Sequence, residues 1–181
     1  GAFDGDTIAD YLRRTGGKTA GIIAIEADPT SLKPLRRRVD ALPADIAERV
    51  VIHPLAVGAE RGQLAFRADG TISSGFHEGT ERDGHVRLVD VTTLDALLAD
   101  TGASYVKMDI EGAEPMALAG AARTLRAGRT VWASCLYHVP DHLWSVPLQI
   151  AGSGGDYRHS LRRYAPDCWE LVHYAVPAGR S

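Results

Sequence analysis

The sequence predicts an α/β fold: a doubly wound, mostly parallel sheet closed by an antiparallel hairpin at its C-terminal edge. Short apolar, β-branched runs alternate with segments of helical spacing, the pattern of strand–crossover–strand units. The final two runs, "YRHSLRRYA" and "CWELVHYAV", have only Pro166 and Asp167 between them, the spacing of a hairpin. At 181 residues the chain is in the range of one domain, and it is read as a single domain over 1–181.

The elements follow in order. "GAFDGDT" opens the chain as a glycine-containing turn, with Asp6 or Thr7 placed to cap a helix that turns Ile8, Tyr11 and Leu12 inward. "GIIAIEADP" is a buried strand that ends at Glu26. Leu32, Leu35, Val39 and Leu42 then recur at helical spacing, and Arg36, Arg37 and Arg38 between them read as a solvated face. "RVVIHPLAVG" is a further strand running into a loop. "GQLAFRA" and "HVRLVDV" are short strands around a loop, Thr71 to His85, whose Ser73, Ser74, His77 and His85 are expected on the acceptor side. A short helix, Leu94 to Ala99, leads to the strand "SYVKMDIEG". Pro115 suits a first helical turn, after which Leu118, Ala122 and Leu125 line one helix face. "TVWASCLYH" is another strand, and Pro140 opens a helix to about Ile150.

Composition narrows the function classes. A formal net charge of −3 provides no basic field for sequence-independent capture of nucleic acid or an anionic membrane. No apolar run approaches the roughly 18 residues needed to span a bilayer, and no leader precedes Gly1, so the chain reads as cytoplasmic. Cys135 and Cys168 lack metal or disulfide spacing and are expected to be buried thiols; the tryptophans are expected in core or rim packing.

In a doubly wound sheet, ligands sit beyond the carboxyl ends of the strands, so polar residues at strand ends are the functional candidates. Gly1 and Gly5 lie in a turn entering a helix, and Glu26 follows about 20 residues later, the spacing at which a carboxylate accepts hydrogen bonds from ribose hydroxyls. Phe3 stands where a dinucleotide-binding G-x-G-x-x-G run has glycine, which favours a nucleoside without a pyrophosphate. His53 precedes Leu55 and Ala56, which are placed to line an adenine pocket. In "KMDIEGAE", Asp109 and Glu111 share one side of an extended strand. Asp109 can orient a ligand or coordinate a divalent ion, and Glu111 can orient a hydroxyl; the alternative is a pair of carboxylates favoured by the following helix N-terminus, with Glu114 in its first turn. No second cluster at metal spacing is seen, so no metal site is assigned. His138, at a strand exit, is the candidate general base, with a satisfied histidine as the alternative. His142, His159 and His173 carry no spatial argument and are expected at the surface or in hairpin packing.

Taken together, "GAFDGDT", "AIEADP", "HPLAVG", "TTLDALL", "YVKMDIEGAEPMALAGAARTL" and "LRRYAPDCWELVHYAVP" resemble the FkbM family of S-adenosylmethionine-dependent methyltransferases. The resemblance implies a Rossmann-like class I methyltransferase sheet, S-adenosylmethionine as cofactor, and methyl transfer to a hydroxyl of a sugar, glycan or natural product. It places Gly1, Ala2, Phe3 and Gly5, with Asp6 and Thr7, in the cofactor loop. Glu26 and Ala27 fall on the ribose side, Leu55 and Ala56 by the adenine, and Asp109 by the methionine end or the acceptor. His138, Asp109 or Glu111 would take the hydroxyl proton. The family has a strand before the glycine loop, so the chain is expected to lack its first strand. A nicotinamide-dependent oxidoreductase and a non-catalytic module with the same fold are the competing readings.

Overall fold

The computed structural model describes residues 1–67, 86–99, 101–166 and 170–179. The chain divides into two compact units, Gly1–Ala56 with Gln63–Asp90, and Val57–Gly62 with Val91–Ser181. The loop expected to shape the acceptor side, Thr71 to His85, lies outside the described residues, as do Cys168 and Trp169.

The first unit begins with helix α1 (Asp6–Thr15), strand β1 (Ile22–Ile25), helix α2 (Pro29–Asp40), a single helical turn α3 (Ala44–Ala47) and strand β2 (Val50–His53). β1 and β2 pair in parallel, Ile22 opposite Val50 through Ile25 opposite His53. Ile8, Leu12, Ala24, Leu35 and Val39 form the core of this unit, with Ala2 packed against it. The helical spacing of Leu35 and Val39 is thus realised as burial against the sheet. Asp28 caps α2 by accepting the Thr30 N–H at 2.8 Å, and Pro29 occupies the first helical turn, where its missing N–H costs no helical bond. The α1 cap differs from the expectation: Gly5, at φ +86°, is the N-cap, and neither Asp6 nor Thr7 holds that position. The side chain of Asp4 accepts the Asp6 N–H instead, at 3.0 Å.

Strands β3 (Ala56–Val57), β4 (Gly62–Arg67) and β5 (Val86–Thr92) pair in the order β3-β5-β4. In the second unit follow α4 (Leu94–Leu97), β6 (Tyr105–Met108), α5 (Glu114–Ala119), α6 (Ala122–Arg126), β7 (Val131–Cys135), α7 (His142–Ala151), β8 (Tyr157–Arg163) and β9 (Leu171–Pro177). The last four strands pair in the order β6-β7-β9-β8, with β6 and β7 parallel and the other two junctions antiparallel. The C-terminal hairpin and the mixed α/β character of the sequence reading are therefore both present.

The single helix expected after Pro115 is broken into α5 and α6, and the cause lies far off in sequence. A Cβ on Gly120 would lie 2.1 Å from the Gly58 carbonyl oxygen, so only glycine fits there. The Gly120 carbonyl accepts the Asp95 N–H at 2.8 Å, while the Asp95 carboxylate accepts the Arg123 and Thr124 N–H groups at 2.8 and 2.9 Å. Asp95 thus caps α6 from another element, and the helix restarts at its carboxylate. Trp132 is fully buried, as expected, and donates its indole N–H to the Tyr157 hydroxyl at 3.3 Å. Among the described residues no helix is long and apolar enough to cross a membrane.

Candidate active site

In the first unit the opening loop is laced to the end of β1 and to Glu26 beyond it. The Ala2 N–H donates to the Ile25 carbonyl at 2.9 Å, and the Phe3 N–H donates to Glu26 Oε2 at 2.7 Å. Glu26 Oε1 accepts the Asp28 N–H at 2.8 Å, so this carboxylate, 7% exposed, joins the loop to the start of α2. Phe3 at φ +48° and Gly5 at φ +86° give the loop its sharp left-handed bends. A Cβ on Gly5 would meet Arg38 Cδ and Leu35 Cδ1 at 3.0 Å, so close packing on α2 is one reason for glycine there. Arg38 donates to the Asp4 carbonyl at 2.8 Å and pairs with its carboxylate at 2.6 Å. Arg38 lies on the solvated face read from sequence and from there reaches across to the loop.

The other first-unit candidates fall into place around this loop. Ala2 has its N–H given to Ile25 and its carbonyl taken by the Gly5 N–H at 2.9 Å, so it acts as scaffold. Thr7 turns to Asp6 Oδ1, through its N–H at 2.6 Å and its hydroxyl at 3.3 Å. At the strand ends, the His53 carbonyl accepts the Glu26 and Leu55 N–H groups at 3.1 and 3.0 Å, which brings the residues after β1 and β2 together; Ala27 is half-buried and Ala56 buried.

In the second unit the ends of β6 and β7 bring together residues 24 to 29 positions apart in the chain. Asp109 follows β6, and Tyr137 and His138 follow β7. The Tyr137 hydroxyl donates to Asp109 Oδ1 at 2.8 Å, and Lys107 Nζ donates to Asp109 Oδ2 at 3.0 Å. His138, its side chain 6% exposed, has Nε2 3.2 Å from Asp109 Oδ1 and 3.6 Å from Glu111 Oε1. Its Nδ1 lies 3.2 Å from Glu114 Oε1. Glu114, with no exposed surface, also accepts the Ile110 N–H at 3.0 Å and has Oε2 3.4 Å from His142 Nδ1. The turn that allows this is strained: Glu111 sits at φ +55° and Gly112 at φ +96°, where an added Cβ would lie 3.1 Å from Val139 Cγ2.

These neighbours reset the local acidities. Burial opposes ionisation of Asp109, but His138, Lys107 and Tyr137 outweigh it and hold the carboxyl well below the usual range. Burial raises Glu111, with His138 opposing and the charges of Asp109 and Glu114 adding to the rise. Burial also works against charge on His138, yet the surrounding carboxylates raise it from 6.5 to about 9. The imidazole is therefore protonated at neutral pH while those carboxylates are unneutralised. Burial and the Asp109 charge push the Cys135 thiol up to about 12, which keeps it inert, in line with the buried thiol expected there.

The fold thus brings Asp109, Glu111 and His138 together and seats the glycine loop against Glu26. Sequence reasoning passed over Glu114, read only as a first-turn residue, and His142, given no spatial argument. The available signal was spacing: His142 lies four residues after His138, at the start of α7. His159 and His173 do pack in the hairpin, with stacked rings 5.1 Å apart.

Residues 1–142 match the model of the methyltransferase FkbM domain. The chain belongs to that family. It is also similar to the crystal structure of methyltransferase FkbM from Methylobacillus flagellatus KT, with a TM-score of 0.80 and 26% sequence identity. That likeness covers 97% of this chain and 41% of the other, so the chain spans well under half of that protein's length. No curated protein matches the chain.

Proposed function

We propose that this chain is an S-adenosylmethionine-dependent O-methyltransferase domain on a Rossmann-like class I sheet, acting on a hydroxyl of a sugar, glycan or natural product. The observation that carries this reading, beside family membership, is the tie between the opening loop and Glu26. Each Glu26 oxygen accepts one backbone N–H, and a carboxylate oxygen has room for a second donor. The donor set fits a nucleoside: Glu26 would accept from ribose hydroxyls, Ala27, Leu55 and Ala56 would flank adenine, and the backbone of Gly1, Ala2, Phe3, Gly5, Asp6 and Thr7 would shape the loop. No run of donors for a pyrophosphate is required. When bound, S-adenosylmethionine supplies a methyl group activated by the sulfonium.

The chain's own work is then positioning and proton management. Asp109 and Glu111 offer acceptors that orient a hydroxyl. Of these two and His138, Glu111, raised by burial, is the group to receive the hydroxyl proton, since Asp109 is held ionised and His138 already carries a proton and steadies both carboxylates. No residue needs to become covalently attached to the methyl group.

A methyl-transfer assay of the full-length protein against sugars, glycolipids and polyketide alcohols tests the reading. Transfer to at least one hydroxyl is expected, and His138→Gln should lower turnover by about 100-fold with cofactor affinity nearly unchanged. Equal turnover in that variant would remove the cluster from the mechanism.

A further inference from the structure

We infer that Asp109, Glu111 and His138 form a binding site for one small divalent cation of the class that accepts both carboxylate oxygen and imidazole nitrogen, with Mn²⁺ and Zn²⁺ as its representatives. One ligating atom from each residue lies within 4.8 Å of the others. Metal–ligand bonds of about 2.1 Å place neighbouring donors about 3.0 to 3.4 Å apart. The separations of 3.2 Å from His138 Nε2 to Asp109 and 3.6 Å to Glu111 are close to that spacing.

The independent observation is His138 itself. Its side chain is 6% exposed, and buried Nε2 makes no hydrogen bond among the described residues. Asp109 Oδ1 at 3.2 Å and Glu111 Oε1 at 3.6 Å are both near it, and neither accepts a hydrogen bond from it. On the far side of the ring, Nδ1 faces buried Glu114 at 3.2 Å, the carboxylate–histidine arrangement that orients a metal-binding imidazole. Asp109 is steadied in the same way by Tyr137 on Oδ1 and Lys107 on Oδ2. Three protein donors leave coordination positions for the oxygen of water or of an acceptor, whose O–H a cation makes more acidic. A nitrogen among so few donors disfavours Ca²⁺, which takes six to eight oxygens. The competing occupant is a proton on Nε2, which would make the cluster an ion pair only.

This inference does not depend on the methyl-transfer reading, and its test reads the ion. Mn²⁺ is titrated into the full chain and followed by electron paramagnetic resonance, with spin-echo modulation reporting imidazole nitrogen. The expected result is uptake of one ion with nitrogen modulation. Modulation should vanish in His138→Gln, affinity should fall about tenfold or more in Glu111→Gln, and His173→Gln should leave both unchanged. Absence of uptake at millimolar Mn²⁺, absence of nitrogen modulation in the unaltered chain, or uptake unchanged in Glu111→Gln would each overturn the site. Uptake without methyl transfer would leave the site standing and defeat the functional reading. Methyl transfer that survives exhaustive chelation, without Mn²⁺ uptake, would overturn the site alone.

Discussion

The opening loop of the first unit and the acid–histidine cluster of the second are both built at strand ends, but they treat their polar groups differently. In the loop, each donor or acceptor described above is matched by a partner from the same unit: Glu26 by the Phe3 and Asp28 N–H groups, Asp4 by Arg38 and the Asp6 N–H. In the cluster, buried Glu114 Oε2, His138 Nε2 and His142 Nδ1 have no hydrogen-bond partner among the described residues. They meet as charge pairs instead, Glu114 Oε2 with His142 Nδ1 at 3.4 Å and His138 Nε2 with Asp109 Oδ1 at 3.2 Å, an arrangement that depends on every member staying in place. The loop is held by hydrogen bonds, whereas the cluster is held by charge.

The largest expected effect comes from removing the residue that holds the cluster together. Glu114→Ala strips the carboxylate from the Ile110 N–H and from both histidines, and should cost about 3–5 kcal/mol in chemical denaturation. Glu114→Gln keeps the shape and an acceptor for Ile110 and should cost less. Equal, small losses in the two variants would mean that the cluster is held by its backbone.

A smaller effect separates the cluster from a buried histidine elsewhere in the same unit. Burial and the neighbouring His159 lower His173 from 6.5 to about 4, the opposite direction from His138. A histidine depressed in the folded state favours the fold when neutral. Its contribution is full above pH 6.5 and is lost as the pH falls toward 4. The protein should therefore lose on the order of 1–3 kcal/mol across that window, and His173→Gln should lose less over the same range. Parallel denaturation midpoints for the two proteins between pH 7 and 4.5 would show that His173 is not the group responsible.

The same contrast explains how much was legible in the sequence. The alternation of strands and helices, the hairpin and the Asp28–Pro29 start of α2 are written in local residue types, and they are present. The Gly120 break and the Asp95 cap were not legible, since both depend on a meeting with segments tens of residues away. The site divides likewise. Glu26 and Asp109 could be read from strand ends and spacing, because one residue at a strand tip suffices as a signal. Arg38, by contrast, sits among arginines on a helix face, and only the fold shows that it reaches Asp4. Glu114 looked like a helix-start carboxylate because its partners, His138 and His142, arrive from β7 and α7.

The opening loop and Glu26 are proposed to hold a nucleoside cofactor. Calorimetric titration of the full-length protein with S-adenosylmethionine, and separately with NAD, tests this most directly. Saturable binding of S-adenosylmethionine alone is expected, weakened by about tenfold or more in Glu26→Ala, the loss expected when a charged hydrogen-bond partner is removed. Binding of NAD alone, or S-adenosylmethionine affinity untouched by Glu26→Ala, would contradict the proposal.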